Sequence, residues 1–288
     1  MFFCMNVNYI DKAEILVEAM PYIGKFQNKT FVIKYGGSLI DDYAKNKSII
    51  QDICFLKTVG INVIVVHGGG KEINKTLSLY GIEPKFIYGV RYTDDKTLEI
   101  AEKVLSGKIN KQIVFEIQQH NINAVGISGK DGFLAKATQK SKNLGKVGKI
   151  TNIKTDILQT LLKNNYIPVI SPICYGENGE SFNVNADEMA VEIAKAICAE
   201  KLIFLSNIDG IFKDINDKNS LMSKIKISEI DDLIKKQYIK DGMIPKIKSC
   251  QDAVKSGINS VHIINGEIKH SLLLEIYTDK GIGSLIEK

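Results

Sequence analysis

Two short runs, "IKYGG" and "VVHGGG", carry an apolar stretch into bare glycine at Gly36-Gly37 and at Gly68-Gly69-Gly70. Glycine weakens regular structure and is tolerated where the backbone turns unusually or another group must come close. Successive N–H groups in such a turn, next to the positive end of a helix, make an anion site that missing side chains leave open. Two such turns at neighbouring strand ends suggest a group held from both sides, as a phosphoryl in transfer would be. The plainer reading is a pair of tight strand-to-helix turns.

Lys34 stands two residues before Gly36 in the otherwise apolar "FVIKYGG". An ammonium is costly to bury there unless an anion meets it, though an edge-strand lysine snorkelling to water would also fit. Lys246, read as part of the loop "DGMIPK", is phosphate-directed if it reaches the same point and a surface lysine otherwise. Asp187, just before an amphipathic run, is either an N-cap or a carboxylate that holds two ammonium groups in position. His67, beside the glycines, reads as structural, through a hydrogen bond to a backbone carbonyl that shapes the turn.

These residues need a frame, and hydrophobic periodicity supplies one. Helical spacing over 11–25, ending near Pro21, precedes a β-rich run at 30–39 and a helical stretch at 44–60 stopped by Gly60. An apolar run at 62–70 and a helical one at 71–81 follow, so strand, glycines and helix occur twice in succession. Such alternation builds a mainly parallel sheet whose ligands lie outside the carboxyl ends of the strands. Residues 94–121 read as one helix or two, 122–128 as a strand, and the Gly- and Lys-rich 129–152 as a hairpin or mobile loop. Residues 153–163 read as helix, 166–174 as one strand, "NVNADEMAVEIAKAICAE" as a loop into a helix, and "KLIFLSNIDGIF" as strand then turn. A helix from about Ile247 to Ser256, the strand "SVHIING" and the helix "SLLLEIYT" close the chain. If there are two lobes, one sheet runs through both.

Composition limits the chemistry. With 288 residues, 44% hydrophobic and 25% charged, the chain can bury one large α/β domain or two lobes sharing a site. The net charge of +5 is spread along the chain without interleaved aromatics, so no nucleic-acid partner is expected. Cys4, Cys54, Cys174, Cys198 and Cys250 are odd in number and widely spaced, which argues against a disulfide framework and against structural zinc. No uncharged run reaches membrane-spanning length, and acidic residues by Asp11 argue against a secretory signal. The glycine-lysine pairs at Gly129, Gly145 and Gly148 do not complete GxxxxGK[ST], so the Walker loop is absent.

In this order and spacing, "IKYGG", "VVHGGG", "GVR", "FNVNAD", "LSNIDGIF" and "GMIPK" resemble the amino acid kinase superfamily and, within it, the N-acetylglutamate kinases, over residues 11–288. The resemblance implies an open αβα sandwich around a mainly parallel central sheet, with an extra N-terminal helical extension (1–28). It implies an N-terminal lobe (29–182) for the acyl substrate and a C-terminal lobe (183–288) for ATP. By that likeness Lys34 and Lys246 contact the transferring phosphoryl, and Asp187 orients both. Gly36 and Gly37 offer N–H groups to the phosphates, and Gly69 and Gly70 do so on the substrate side. Arg91 pairs with the α-carboxylate of N-acetyl-L-glutamate and Asn183 hydrogen-bonds the same molecule. Asn207, where many relatives carry Asp, and Gly210 line the nucleotide site. The implied cofactors are ATP and Mg²⁺, with no metal ligand from the protein.

The same resemblance implies feedback inhibition by arginine, with Lys201, Glu275 and Gly281 as its ligands, and a homohexamer interlaced through the N-terminal helices. It brings the PII signalling protein as a possible partner, and a cytoplasmic or plastid-stromal location. The competing readings are another amino acid kinase acting on aspartate, glutamate, carbamate or UMP, and a non-catalytic arginine or nucleotide sensor on the same scaffold.

Overall fold

The computed structural model describes residues 9–40, 43–214, 216–240 and 243–288; the start of the N-terminal extension with Cys4, and Asp241 and Gly242 of the expected loop, lie outside them. The chain opens with α1 (Tyr9–Phe26), β1 (Thr30–Tyr35), the single turn α2 (Gly37–Ile40), α3 (Tyr43–Thr58), β2 (Asn62–His67) and α4 (Gly70–Leu79). A hairpin of β3 (Phe86–Ile87) and β4 (Val90–Arg91) leads into α5 (Asp95–Glu102), a π-helical stretch (Lys103–Ile109) and α6 (Asn110–Gln118). Then come β5 (Ala124–Ser128), β6 (Ala135–Gln139), β7 (Gly148–Ile153), α7 (Asp156–Lys163), β8 (Ile167–Ser171), β9 (Ile173–Tyr175) and β10 (Ser181–Asn183). The remainder is α8 (Ala186–Ala196), β11 (Lys201–Ser206), β12 (Lys224–Lys226), α9 (Ile230–Lys235), α10 (Met243–Lys255), β13 (Ser260–Asn265), α11 (Ser271–Ile276) and β14 (Ser284–Glu287).

One eight-stranded sheet, ordered β12-β14-β13-β11-β1-β2-β8-β5, runs through the molecule, and within it, among the described residues, only β13 and β14 pair antiparallel. The expected α/β class and the continuous sheet are thus both present. β1 and β2 are buried nearly throughout, as parallel strands covered on both faces must be. Their alternation sorts the two helical layers. Phe31, Ile33, Tyr35, Val63 and Val65 pack with α3, α6 and α11, whereas Val32, Ile64 and Val66 pack with α8 and α10. By the same period Lys34 faces the α8 and α10 layer and His67 the opposite one. A smaller sheet, β10-β9-β6-β7, lies beside the main one and contains the hairpin expected over 129–152.

Three expectations need correction. The first helix does not end near Pro21 but carries it inside and continues to Phe26. The missing N–H removes one helical bond, yet continuation packs Tyr22 and Ile23 against the core and leaves Phe26 only 5% exposed, worth about 2 kcal/mol. The stretch 166–174 is two strands in two sheets, because Pro172 between them cannot donate to a ladder. Lys246 sits in the first turns of α10, which begins at Met243, and not in a loop before a helix starting at about Ile247.

Candidate functional site

Because β1, β2, β8, β11 and β13 run parallel, their carboxyl ends bring Lys34, the Gly68–Gly70 turn, Ser171, Asn207 and Asn265 to one edge. There Lys34 Nζ lies 2.8 Å from Asp187 Oδ1, and Lys246 Nζ lies 3.7 Å from Asp187 Oδ2. Lys246 also stands 5.7 Å above the ring of Phe204, the register neighbour of Lys34 on β11. The three charged side chains are 14%, 17% and 23% exposed, too sheltered for any of them to stand unpaired. Burial works to raise the Asp187 carboxyl, but Lys34 and Lys246 outweigh it and hold the group below the usual carboxylate range. Both lysines therefore converge on one ionised carboxylate.

Asp187 is free for this because it is not the cap. Asn185 caps α8, its Oδ1 accepting from the N–H groups of Asp187 at 2.7 Å and Glu188 at 3.4 Å. The N-cap reading of Asp187 is corrected accordingly.

The two glycine turns touch each other. A Cβ on Gly37 would lie 2.9 Å from Gly69 N, and one on Gly36 would lie 2.8 Å from the Leu205 carbonyl. Gly69 precedes α4 and would push a Cβ into Ile109 at 2.3 Å and Leu105 at 2.8 Å. The first N–H groups of a helix have no intrahelical acceptor, so the start of α4 at Gly70 presents donors beside Lys34. Gly36 differs from expectation: its N–H donates to Leu205 O at 3.2 Å and is spent on joining β1 to β11, leaving Gly37 as the nearer donor of that pair. His67 has the expected carbonyl partner, with Nδ1 3.1 Å from Gly68 O.

A cavity of about 320 Å³ opens at this point, lined by Lys34, Gly68–Gly70, Arg91, Lys140, Asn183 and Asp187 among others. Arg91, on β4, donates from Nη2 to Gly70 O at 3.0 Å and stacks 4.9 Å from the Phe86 ring on the paired strand. Its Nη1 is buried with no hydrogen-bond partner, and burial pulls its pKa down. An unpaired buried guanidinium nitrogen is a standing demand for an acceptor, which a carboxylate meets. Asn183 ends β10, with Nδ2 3.3 Å from Thr93 Oγ1. Glu188, the second carboxylate of the cavity, is engaged by Lys140, just as Asp187 is by Lys34 and Lys246. Among the described lining residues there is no His, Ser or Cys.

Asn207 and Gly210 lie beyond this cavity, in the turn after β11. Gly210 has φ 141°, and a Cβ there would lie 2.7 Å from Ser284 Oγ, the acceptor of Ile211 N–H. Lys201, Glu275 and Gly281 come together elsewhere. Lys201 Nζ donates to His262 Nε2 (2.8 Å), His262 Nδ1 to Glu275 Oε1 (2.6 Å), and Glu275 Oε2 accepts from Ile282 N (2.8 Å) and Gly283 N (3.0 Å). A Cβ on Gly281 would lie 2.6 Å from Glu275 Oε2.

Sequence reasoning missed Phe86, Lys140 and Asn185. Asn185 had a signal, an Asn placed directly before an amphipathic helix. Lys140 had none, being one of many lysines in a Gly-rich segment.

An open α/β sheet with two braced lysines and bare glycine turns at its strand ends is the frame of a phosphotransferase with anionic substrates. Residues 29–265 match the amino acid kinase family. The acetylglutamate kinase of Thermoanaerobacter pseudethanolicus is 50% identical over 97% of this chain and 94% of its own, and that of Methanocaldococcus jannaschii is 48% identical over 98% of each. In fold, the N-acetylglutamate synthase of Neisseria gonorrhoeae, complexed with coenzyme A and N-acetyl-glutamate, superposes with a TM-score of 0.83 at 24% identity, over 96% of this chain and 63% of its own. The Giardia carbamate kinase gives 0.65 at 16% identity, over 90% and 99%. The chain belongs to the amino acid kinase family, on its acetylglutamate kinase branch.

Proposed function

We propose that the protein transfers the γ-phosphoryl of ATP to the γ-carboxylate of N-acetyl-L-glutamate, giving N-acetyl-L-glutamyl 5-phosphate in arginine biosynthesis. One observation carries this reading: Lys34 and Lys246 share Asp187, and Lys34, Asp187 and Arg91, whose Nη1 has no hydrogen-bond partner, line one cavity. The cations suit a migrating phosphoryl, and the guanidinium suits the α-carboxylate of an acyl amino acid. Identity at half of the aligned positions with an acetylglutamate kinase supports the choice of substrate.

The γ-carboxylate nucleophile is already ionised near neutral pH, so the residues need not move a proton. Their work is to position and to neutralise charge. Arg91 and Asn183 hold the acyl substrate in line, N–H groups at Gly37, Gly69 and Gly70 receive anionic oxygens, and Lys34 and Lys246 stabilise charge that grows on the phosphoryl. Asp187 keeps both ammonium groups aimed. With Asp187 and Glu188 engaged by lysines, Mg²⁺ would be carried on the ATP phosphates and supply further charge neutralisation there. The adenine side belongs to the turn of Asn207 and Gly210 on the C-terminal lobe (183–288), the acyl side to the N-terminal lobe (29–182). The reaction runs in the cytoplasm, or in the plastid stroma for a plastid-encoded chain; among the described residues no helix is long and apolar enough to cross a membrane.

Inhibition by arginine and assembly into a hexamer belong to the same reading. Exposed Ile15, Leu16, Val17 and Met20 on α1 offer an apolar row to another copy. The end of α1 meets the Lys201–Glu275 network, through Phe26 stacked 5.1 Å from Lys201 Nζ and Tyr22 hydrogen-bonded to Asp279. Deleting residues 1–25 is expected to abolish hexamers in light scattering and blunt arginine inhibition; an unchanged hexamer counts against this part. For the reaction itself, hydroxylamine trapping with MgATP should yield a hydroxamate from N-acetylglutamate and little from glutamate or aspartate, and ADP release should be high with N-acetylglutamate and low with glutamate, aspartate, carbamate or UMP. Background product with every acceptor would favour a non-catalytic sensor.

A further inference from the structure

His67 is fully buried on the side of the sheet away from the lysines, and the function above assigns it nothing beyond its bond to Gly68. Its other ring nitrogen is not idle. Nε2 lies 3.2 Å from Nδ2 of Asn110, itself fully buried where the π-helical stretch passes into α6. The Asn110 amide has one sensible orientation. Nδ2 also faces the carbonyls of Val169 at 2.9 Å and Ile127 at 3.4 Å, while Oδ1 accepts from Lys111 Nζ at 3.2 Å. Lys111 Nζ donates as well to Gly126 O, at 2.9 Å, so the cation is fixed where it selects Oδ1. The neighbouring strand leaves room for this amide, since a Cβ on Gly126 would lie 1.8 Å from Asn110 Oδ1.

The Gly68 carbonyl can only accept, so the ring proton sits on Nδ1, and Nε2 is the bare acceptor facing the Asn110 amide, whose two hydrogens serve His67, Val169 and Ile127. The Gly68 N–H is tied in turn to Tyr35 O at 3.0 Å, and Gly69 packs against Leu105 and Ile109 of the π-helical stretch. The glycine turn is thus gripped by β1, by the imidazole and by one helical bulge that also places Asn110. Such π-helical bulges recur at functional sites because the extra residue re-aims a side chain.

We propose that Asn110 is a positioning residue for phosphoryl transfer: it selects the Nδ1–H form of His67 and thereby fixes the carbonyl of Gly68 and the N–H groups that follow. This rests on the kinase reading above. It adds a residue that touches neither substrate nor phosphate yet sets how the main-chain donors are aimed.

The test joins a spectrum to kinetics. Long-range proton–nitrogen correlation on the ¹⁵N-histidine-labelled full chain at pH 7, with His67 assigned by its loss in His67→Gln, should show a protonated Nδ1 and a bare Nε2. Asn110→Asp replaces the donor with an acceptor of the same shape, so His67 should gain a proton on Nε2. Turnover should fall about 10-fold or more, with kcat and kcat/KM dropping together, as for an interaction realised in the transition state. Asn110→Gln, which can still donate, should recover part of the loss. Wild-type His67 protonated on Nε2 would overturn the proposal even if no variant folds. So would a changed tautomer in Asn110→Asp with unchanged turnover. The tautomer is read without substrate, so a wild-type enzyme that makes no hydroxamate counts against the kinase reading and leaves the spectral result standing.

Discussion

Lys34 and Asp187 meet at 2.8 Å, one from the fifth position of a parallel strand and the other from the first turn of a helix that packs over that strand. The pair is more than a clamp between layers, because the second oxygen of the same carboxylate reaches Lys246. Asp187→Asn keeps the shape and removes the charge, so two sheltered ammonium groups are left to repel each other. Turnover should fall by about 100-fold, roughly 2.7 kcal/mol in the barrier. Steady-state assays at saturating ATP and acyl substrate check this, and a loss under threefold would refute the bracing role.

Arg91→Lys tests substrate recognition. Lysine keeps the positive charge but loses the planar fork, the stacking on Phe86 and the bond to Gly70 O. KM for N-acetylglutamate is expected to rise about 10- to 100-fold, with kcat changed less. A KM within twofold of the wild type would remove Arg91 from the substrate site.

Gly69→Ala should destabilise the chain by about 1–3 kcal/mol in urea denaturation, because its Cβ runs into Ile109 and Leu105. The colliding atoms are side-chain ends, so Ile109→Ala in the same chain should return part of the loss. Gly37→Ala meets backbone at Gly69 instead, and no side-chain trimming should rescue it. Equal rescue of both would contradict the packing described for the two turns.

Lys201 gives a pH prediction whose sign is fixed. Burial, followed by repulsion from Lys25, brings its pKa down to about 8, from 10.5. Between those values the unfolded chain holds a proton that the folded chain has released, so stability rises with pH across that window. Lys201→Met removes the effect. The wild-type unfolding free energy from urea denaturation should therefore gain on that of Lys201→Met between pH 8 and 10, by at most on the order of 3 kcal/mol in total. A difference that stays constant with pH would show that the buried ammonium carries no such penalty.

Much of this was legible before any coordinates. The alternation of apolar runs with glycine and helix gave the parallel sheet, and the strand "FVIKYGG" with its lone lysine pointed to the site because burial makes such a lysine expensive. What stayed hidden was non-local. Nothing in "DGMIPK" tells that Lys246 belongs to a helix crossing Phe204, since loop and first helical turn look alike in composition. The resemblance offers the Gly36 N–H to phosphate, and local spacing cannot show that Leu205 takes it. Short strands such as β10 and β14 owe their existence to neighbours distant in sequence, and three or four residues carry too little periodicity to announce them.

The convergence of two ammonium groups on one phosphoryl is tested most directly by rapid-quench hydroxylamine trapping of the acyl phosphate in a single turnover. Wild type, Lys34→Ala and Lys246→Ala would be compared with N-acetylglutamate and MgATP saturating. Each substitution should slow formation of the hydroxamate-forming product by about 100-fold or more while MgATP still binds. Rates within about threefold of wild type for either variant would contradict the account, because a lysine held at the migrating group cannot be removed without consequence.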